Sequence, residues 1–371
     1  MGCADAIELV DHHCHGVLAG DLDRAAFEAA LTEADAASPL GTSLFDSLVG
    51  LALRRRCPPL LDLPPHAEPD RYLARRVELG AAEVNRRMLS STGIRAFLVD
   101  TGLSAPGLTG LAEFAELAGP AREVLRLESL AEDLAARGVG AGEFAARVRE
   151  ELAGTTAVAA KSVAAYRSGL ALSGERPTGA EVARAAGGFL ASGDRLADEA
   201  LHRFLVREAV EAGLPVQFHV GYGDNDLTMH RADPSLLTDL LRATADLGVP
   251  IMLLHNYPHH RTAAYLAQVF PHVFCDVGLA THNTGARARE VVAEVLELAP
   301  FGKVLFSTDA FGLAELYHLG AALFRDAVGS FFDGGIAEGA WTAADAERAA
   351  RLIGRDNALR AYRIGLTSTP R

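Results

Sequence analysis

Short apolar runs recur along the chain, and most end in a polar or ionisable residue. Ile7 to Asp11 reads as a first strand that runs into His12-His13-Cys14-His15. Residues 22–90 show no strand pattern and read as mostly helical. Arg95 to Asp100 (RAFLVD) and Val124 to Glu128 (VLRLE) read as the next two strands, and Thr156 to Ser162 (TAVAAKS) as a weaker fourth. A helical stretch follows, with Leu201, Phe204, Leu205 and Ala209 on one face.

The second half is more regular. Pro215 to Val220, Pro250 to Asn256, Val273 to Gly278 and Lys303 to Asp309 read as strands separated by helices. Asp233-Pro234 marks a helix start, with Asp as cap and Pro at the first helical position, and Gly248 marks its end. Eight apolar strands alternating with helices predict a parallel sheet buried on both faces. The expected fold is α/β: a (β/α)8 TIM-type barrel with a helical insertion after strand 1, at about residues 22–90. The chain reads as one domain over 1–371, the insertion being placed for a lid or a dimer surface. An open doubly wound sheet is the other arrangement, but it calls for a Gly-rich phosphate loop after strand one, and none is present.

Polar residues sit where such a barrel needs them. His13 and His15 follow strand one; Lys161, His219, His255 and Asp309 close strands four, five, six and eight. The C-terminal strand ends of a barrel converge on one mouth. Side chains at i and i+2 of a strand share a side, so His13 and His15 are expected to face one ion, with His12 and Cys14 turned away. Imidazole and carboxylate donors suit zinc, with Mn or Fe also compatible, as one or two divalent ions. A bound ion of this kind makes hydroxide available near neutral pH, and Asp309 is placed to take the proton. His230 and His282 follow strand ends and are open to the pocket. His259, His260 and His272 read as surface residues.

Composition sharpens one point. Of 35 basic residues only two are lysines, Lys161 and Lys303. A lysine amine can add carbon dioxide and become an anionic, metal-bridging carbamate; a guanidinium stays protonated. Lys161 therefore reads either as a carboxylated ligand or as a cation holding a substrate carboxylate, with Arg167 nearby. Lys303, at the opposite strand end, reads as structural.

The net charge of -13 argues against nucleic-acid partners, and no apolar run is long enough to span a bilayer. The first residues show no signal-peptide pattern. Met-Gly-Cys invites a lipidation reading, but the sixth residue is neither Ser nor Thr. Cys3, Cys14, Cys57 and Cys275 are too few and scattered for a disulfide framework. The expectation is a cytoplasmic enzyme with a small-molecule substrate and a possible homodimer. A scaffold that merely retained the site is the non-enzymatic alternative; an excess of ligands over the four of a closed structural site argues against it.

The order His-x-His, Lys, His, His, Asp on successive strands resembles the amidohydrolase superfamily. More narrowly it resembles the amidohydrolase-2 group, in the branch with nodulin-like and FluG-like domains. The similarity rests on VDHHCHG (10–16), KSVAAYRSGL (161–170), VQFHVGYGD (216–224), LLHNYPHHRTAAYLA (253–267), FSTDAFGLAELYHLGA (306–321) and GRDNALRAYRI (354–364). This resemblance implies that His13, His15 and Asp309 hold the more buried metal. His219 and His255 would hold a second, if a carboxylated Lys161 bridges the two. In mononuclear relatives the strand-five His completes the single site, and the strand-six His acts on substrate or water. The activity implied is hydrolysis of a C–N (amide-type) bond, with Asp309 and His255 catalytic. The alternative is a mononuclear-metal decarboxylase of an aromatic or unsaturated acid; some members with Glu at the first His-x-His position do this chemistry, and here that position is His13. Arg167, Tyr222, Asp224 and Glu315 are the expected substrate-contacting residues.

Overall fold

A computed structural model describes residues 7–366 of the chain. Cys3 and the residues read for targeting or lipidation signals lie outside that range. Among the described residues seven strands form one sheet: β1 (Leu9–Cys14), β2 (Ile94–Asp100), β3 (Ala121–Arg126), β4 (Ala159–Ser162), β5 (Val216–Val220), β6 (Ile251–His255) and β7 (Val273–Cys275). They pair in sequence order, every pair parallel.

The eighth expected strand takes another form. Residues 304–310 run between β7 and β1 and bond to both. Leu305 N donates to the Cys275 carbonyl at 3.0 Å, His12 N to the Phe306 carbonyl at 3.1 Å, and His15 N to the Ala310 carbonyl at 3.0 Å. The sheet therefore curls, consistent with a TIM-type barrel. The segment forms no regular ladder, in part because Asp309 adopts a positive φ of 50°. Lys303 belongs to the helical turn Phe301–Lys303 before it, and its Nζ donates to the Phe270 and Val273 carbonyls, each at 3.0 Å. It is a structural lysine.

Alternation along the strands divides their apolar side chains between two cores. Val10, Leu98, Met252, Leu254 and Leu305 fill an inner cluster closed by Ala358, Ala361 and Tyr362 of the C-terminal helical end. Leu9, Phe97, Val99, Ile251 and Leu253 face the larger layer between sheet and helices. With both faces buried, the strands need to be apolar throughout, which is the pattern the sequence carries.

Within residues 22–90, Arg24–Ala29, Leu48–Arg56, Pro69–Leu79 and Ala81–Ser90 are α-helices. The Asp233 cap is present, its side chain accepting from Ser235 N at 2.8 Å, and Gly248 ends that helical stretch at φ 64°. The third strand ends at Arg126, and Leu127 and Glu128 begin a helix instead.

Candidate metal centre

Strand β1 does not keep a simple alternation. Its register against β2 shifts between Asp11 and Cys14. His12, expected to turn away from His13, is instead fully buried beneath the site: Nε2 lies 2.7 Å from Asp276 Oδ2 and Nδ1 lies 2.8 Å from the Tyr362 hydroxyl. The parity argument fails there because it assumes an unbroken ladder.

The protonation of His13 follows from its neighbours. Gln217 Nε2 donates to the His12 carbonyl at 2.7 Å, which turns Gln217 Oε1 towards His13 Nδ1 at 2.8 Å. Amide oxygens only accept, so Nδ1 carries the proton and Nε2 offers its lone pair. His15 Nδ1 lies 3.3 Å from the Asp100 carbonyl and is likewise the donor. Both free Nε2 atoms point at Asp309: His13 Nε2 is 3.2 Å and His15 Nε2 3.5 Å from Oδ1. His255 brings Nδ1 to 3.0 Å from Asp309 Oδ2, yet neither of its ring nitrogens makes an aligned hydrogen bond.

Strained backbone holds these groups in place. His255 sits at φ 66°, its N–H donating to Asp276 Oδ1 at 2.6 Å. Asp11 accepts from Thr308 N at 3.0 Å and from Thr308 Oγ1 at 2.5 Å, while Asp309 N donates to the His13 carbonyl at 3.0 Å. Left-handed backbone at non-glycine residues is costly and persists where its surroundings enforce it.

Burial lowers the His13 pKa to about 4, with the Lys161 ammonium adding to the effect, and lowers His219 to about 3. His255 is also pushed well down by burial. Neutral imidazole lone pairs thus face an ionised carboxylate at close range. Two acceptors do not attract; a shared cation is what this donor set fits. Two overlapping groups have ligand atoms within 4.8 Å of one another: His13, His255 and Asp309, and His13, His15 and Asp100.

Asp100 was not singled out in the sequence, although it shares the strand-end position of His255 and Asp309. Its Oδ2 accepts from Arg126 Nη2 at 2.6 Å and lies 4.0 Å from Lys161 Nζ. Lys161 is buried, its Nζ 3.1 Å from His13 Nε2. Burial lowers its pKa despite the pull of Asp100 and Asp309. The His219 ring stands 4.6 Å from that of His255 and 4.5 Å from that of Tyr166. Gly223 permits this: a Cβ there would lie 1.8 Å from the Tyr166 hydroxyl and 3.2 Å from His219 Nε2.

These residues open onto a cavity of about 670 Å³. Residues 29–35, where the chain leaves the helix Arg24–Ala29, form part of its wall, and Arg167 and Asp224 line it. Arg167 has a buried Nε without a hydrogen-bond partner. Tyr222 stands behind the wall, its hydroxyl accepting from Asn283 Nδ2 at 2.8 Å. Glu315 is placed elsewhere. It is fully buried, bonded to Arg76 Nε at 2.6 Å and to the Tyr72 hydroxyl at 2.8 Å, and it does not line the cavity. Its proximity to Asp309 in sequence does not carry over, because the helix Ala314–Glu338 turns it towards the helix Pro69–Leu79.

His260 and His272 are buried, contrary to the surface reading, bonded to Glu294 Oε2 at 2.5 Å and to Thr244 Oγ1 at 3.3 Å. Of the two histidines open to either reading, His230 is exposed and His282 lines the cavity.

An amidohydrolase family model matches residues 10–364. The chain belongs to the amidohydrolase-2 family. Among solved structures, this amidohydrolase is 30% identical to a protein from Lactobacillus casei designated a metal-dependent hydrolase, over 97% of this chain and 96% of that one, with a TM-score of 0.83. It shares its fold with a uronate isomerase from Bacillus halodurans at 14% identity, over 98% and 95% of the two chains, TM-score 0.67. It is 32% identical over 237 residues to Protein fluG of Emericella nidulans, covering 60% of this chain and 27% of that protein. The match thus spans about a quarter of the fungal protein's length. Among the described residues no helix is long and apolar enough to cross a membrane.

Proposed function

We propose that this amidohydrolase cleaves a C–N (amide-type) bond of a small molecule by metal-assisted attack of water. The observation that carries the reading is the convergence of His13, His15 and His255 ring nitrogens on the Asp309 carboxylate. His13, His15 and Asp309 would hold a divalent ion such as zinc, with His255, His219 and Asp100 within reach of the same region. When bound, the ion supplies Lewis acidity, which acidifies water and polarises a carbonyl oxygen.

The protein's own groups do the rest. Asp309, ionised and at the cavity floor, accepts the proton of the attacking water and returns it to the departing nitrogen. His255 stands over the same carboxylate and stabilises charge on the substrate oxygen. Arg167 offers an uncommitted guanidinium for a substrate carboxylate, and Asp224 faces the same space.

Lys161 enters through its chemical form. As a free amine it competes for His13 Nε2, the nitrogen offered to the metal. Carboxylation would turn the competitor into an anionic ligand and admit a second ion. Density at Lys161 Nζ in a metal-loaded crystal distinguishes the two forms. No feature of the site favours decarboxylation over hydrolysis.

The test joins metal analysis to a panel of amides. The protein as purified should contain one or two divalent ions per chain; a chelator should abolish hydrolysis, and zinc, manganese or iron should restore it. A metal-loaded protein inert towards every amide but active on an unsaturated acid would overturn the assignment.

A further inference from the structure

Glu33 stands in the cavity wall with its charge unanswered. The helix Arg24–Ala29 ends just before it, and the chain on either side is pinned to the body of the protein. Phe27 and Leu31 are buried in the core, and Glu28 Oε2 accepts from Leu44 N at 2.7 Å. This anchored turn brings Glu33 to the cavity. Among the described residues its carboxylate has neither a hydrogen-bond donor nor a cation for a partner. It belongs to neither group of converging metal-donor atoms, so an ion on the cavity floor is not its counter-charge.

Its electrostatic neighbours are other carboxylates. Burial pushes the Glu33 carboxyl up to about 7, with repulsion from Asp309 and Asp224 adding to the effect. Asp224 and Glu33 also act on one phenol: burial raises the Tyr166 pKa, and these two carboxylates raise it further. Glu33 and Asp224 therefore share one part of the cavity, beside Tyr166 and within reach of Asp309. An anion drawn out of water among other anions is costly until a cation reaches it.

The opposite charge is present but apart. Arg167 lines the same cavity, its Nε is buried without a hydrogen-bond partner, and it forms no ion pair with Glu33 or Asp224. Charges of both signs thus stand unpaired around one space of about 670 Å³. A ligand carrying both signs completes such a wall, and charge-assisted hydrogen bonds are the strong ones.

We infer that the substrate is a zwitterionic amide, a dipeptide or an amino-acid derivative of similar size: Glu33, with Asp224, holds its ammonium, and Arg167 holds its carboxylate. The two charged ends lay the scissile C–N bond over Asp309. For the bond that is cut this rests on the hydrolytic reading above; recognition of the zwitterion can be tested without turnover.

The experiment offers metal-loaded protein a panel of dipeptides and side-chain amides of amino acids, each with its ammonium free and with that group acetylated. Wild type should favour the free form in kcat/KM by roughly 10- to 100-fold, as for a hydrogen bond to a charged group. Glu33→Gln should abolish the preference by losing activity on the free form alone, and Glu33→Lys should reverse it. Glu33 bonds to nothing in the fold, so both variants should keep the wild-type circular dichroism spectrum and metal content. Equal losses on both forms would mark a residue that merely shapes the wall and would overturn the role, as would a wild type indifferent to the acetyl group. If wild type cleaves no amide at all, the hydrolytic reading fails and calorimetry with L-alanyl-L-alanine decides. Binding at least about tenfold weaker in Glu33→Gln than in wild type supports the ammonium site. Equal binding, or none to wild type, overturns it.

Discussion

Gln217 determines which nitrogen of His13 is free. The Gln217 amide is oriented by the His12 carbonyl and the Tyr362 hydroxyl, at 2.7 and 2.8 Å, and its oxygen then claims His13 Nδ1 at 2.8 Å. The lone pair of Nε2 is left facing Asp309, Lys161 and the cavity floor. Groups behind metal ligands commonly set ligand tautomer and basicity in this manner.

Gln217→Leu should therefore weaken metal binding roughly 10- to 100-fold while leaving the ligands in place. Competition against a chromophoric chelator measures it. An unchanged metal affinity would show that His13 does not depend on this contact.

Asp309→Asn should remove nearly all turnover, a loss of about 10²- to 10⁴-fold for a missing general base. The circular dichroism spectrum should match wild type, since the Asp309 backbone is held by its own N–H bond to the His13 carbonyl. Full activity in this variant would remove Asp309 from the mechanism.

Glu315 is predicted to matter for stability. Its carboxylate joins Arg76 and Tyr72 between two helices with no access to water. Glu315→Gln leaves the Arg76 charge buried without a counter-charge and should cost about 3–5 kcal/mol in urea unfolding. A double change to apolar residues, Arg76→Met with Glu315→Leu, should cost less than the single one, because no uncompensated charge remains.

Acid should unfold the protein in part through His202. Burial lowers its pKa to about 4, against an ordinary value of 6.5. The unfolded chain takes up a proton on this side chain at a pH where the folded one does not. The stability is thus intact above pH 6.5 and falls as pH drops towards 4, by at most about 3 kcal/mol. Urea unfolding of wild type and His202→Gln between pH 7 and 4.5 measures it: the wild-type advantage should shrink as pH falls. A constant difference would place the acid sensitivity elsewhere.

Much of the fold was legible in the sequence. An apolar run buried on both faces, a helix cap at Asp233 and a glycine stop at Gly248 are local signals, and β2, β5 and β6 appear within a residue or two of their expected limits. The strand-end positions of His13, His15, Lys161, His219, His255 and Asp309 were legible too, because a parallel barrel turns position along a strand into position in space.

Other features depend on residues distant in sequence meeting one another. The register shift in β1 placed His12 under the site, although strict alternation turned it away. Gln217 carries no signal beyond being polar within a strand, and Asp100 only its strand-end position; their roles arise from β2 and β5 flanking particular neighbours across the curled sheet. Glu315 lies six positions from Asp309 yet faces a different layer, because a helix rotates successive side chains about its axis. Local sequence thus determined which segments are strands and which residues stand at their ends. Tertiary packing alone decided which nitrogens are protonated and which carboxylates are already paired, since hydrogen-bond partnership is a property of assembled neighbours.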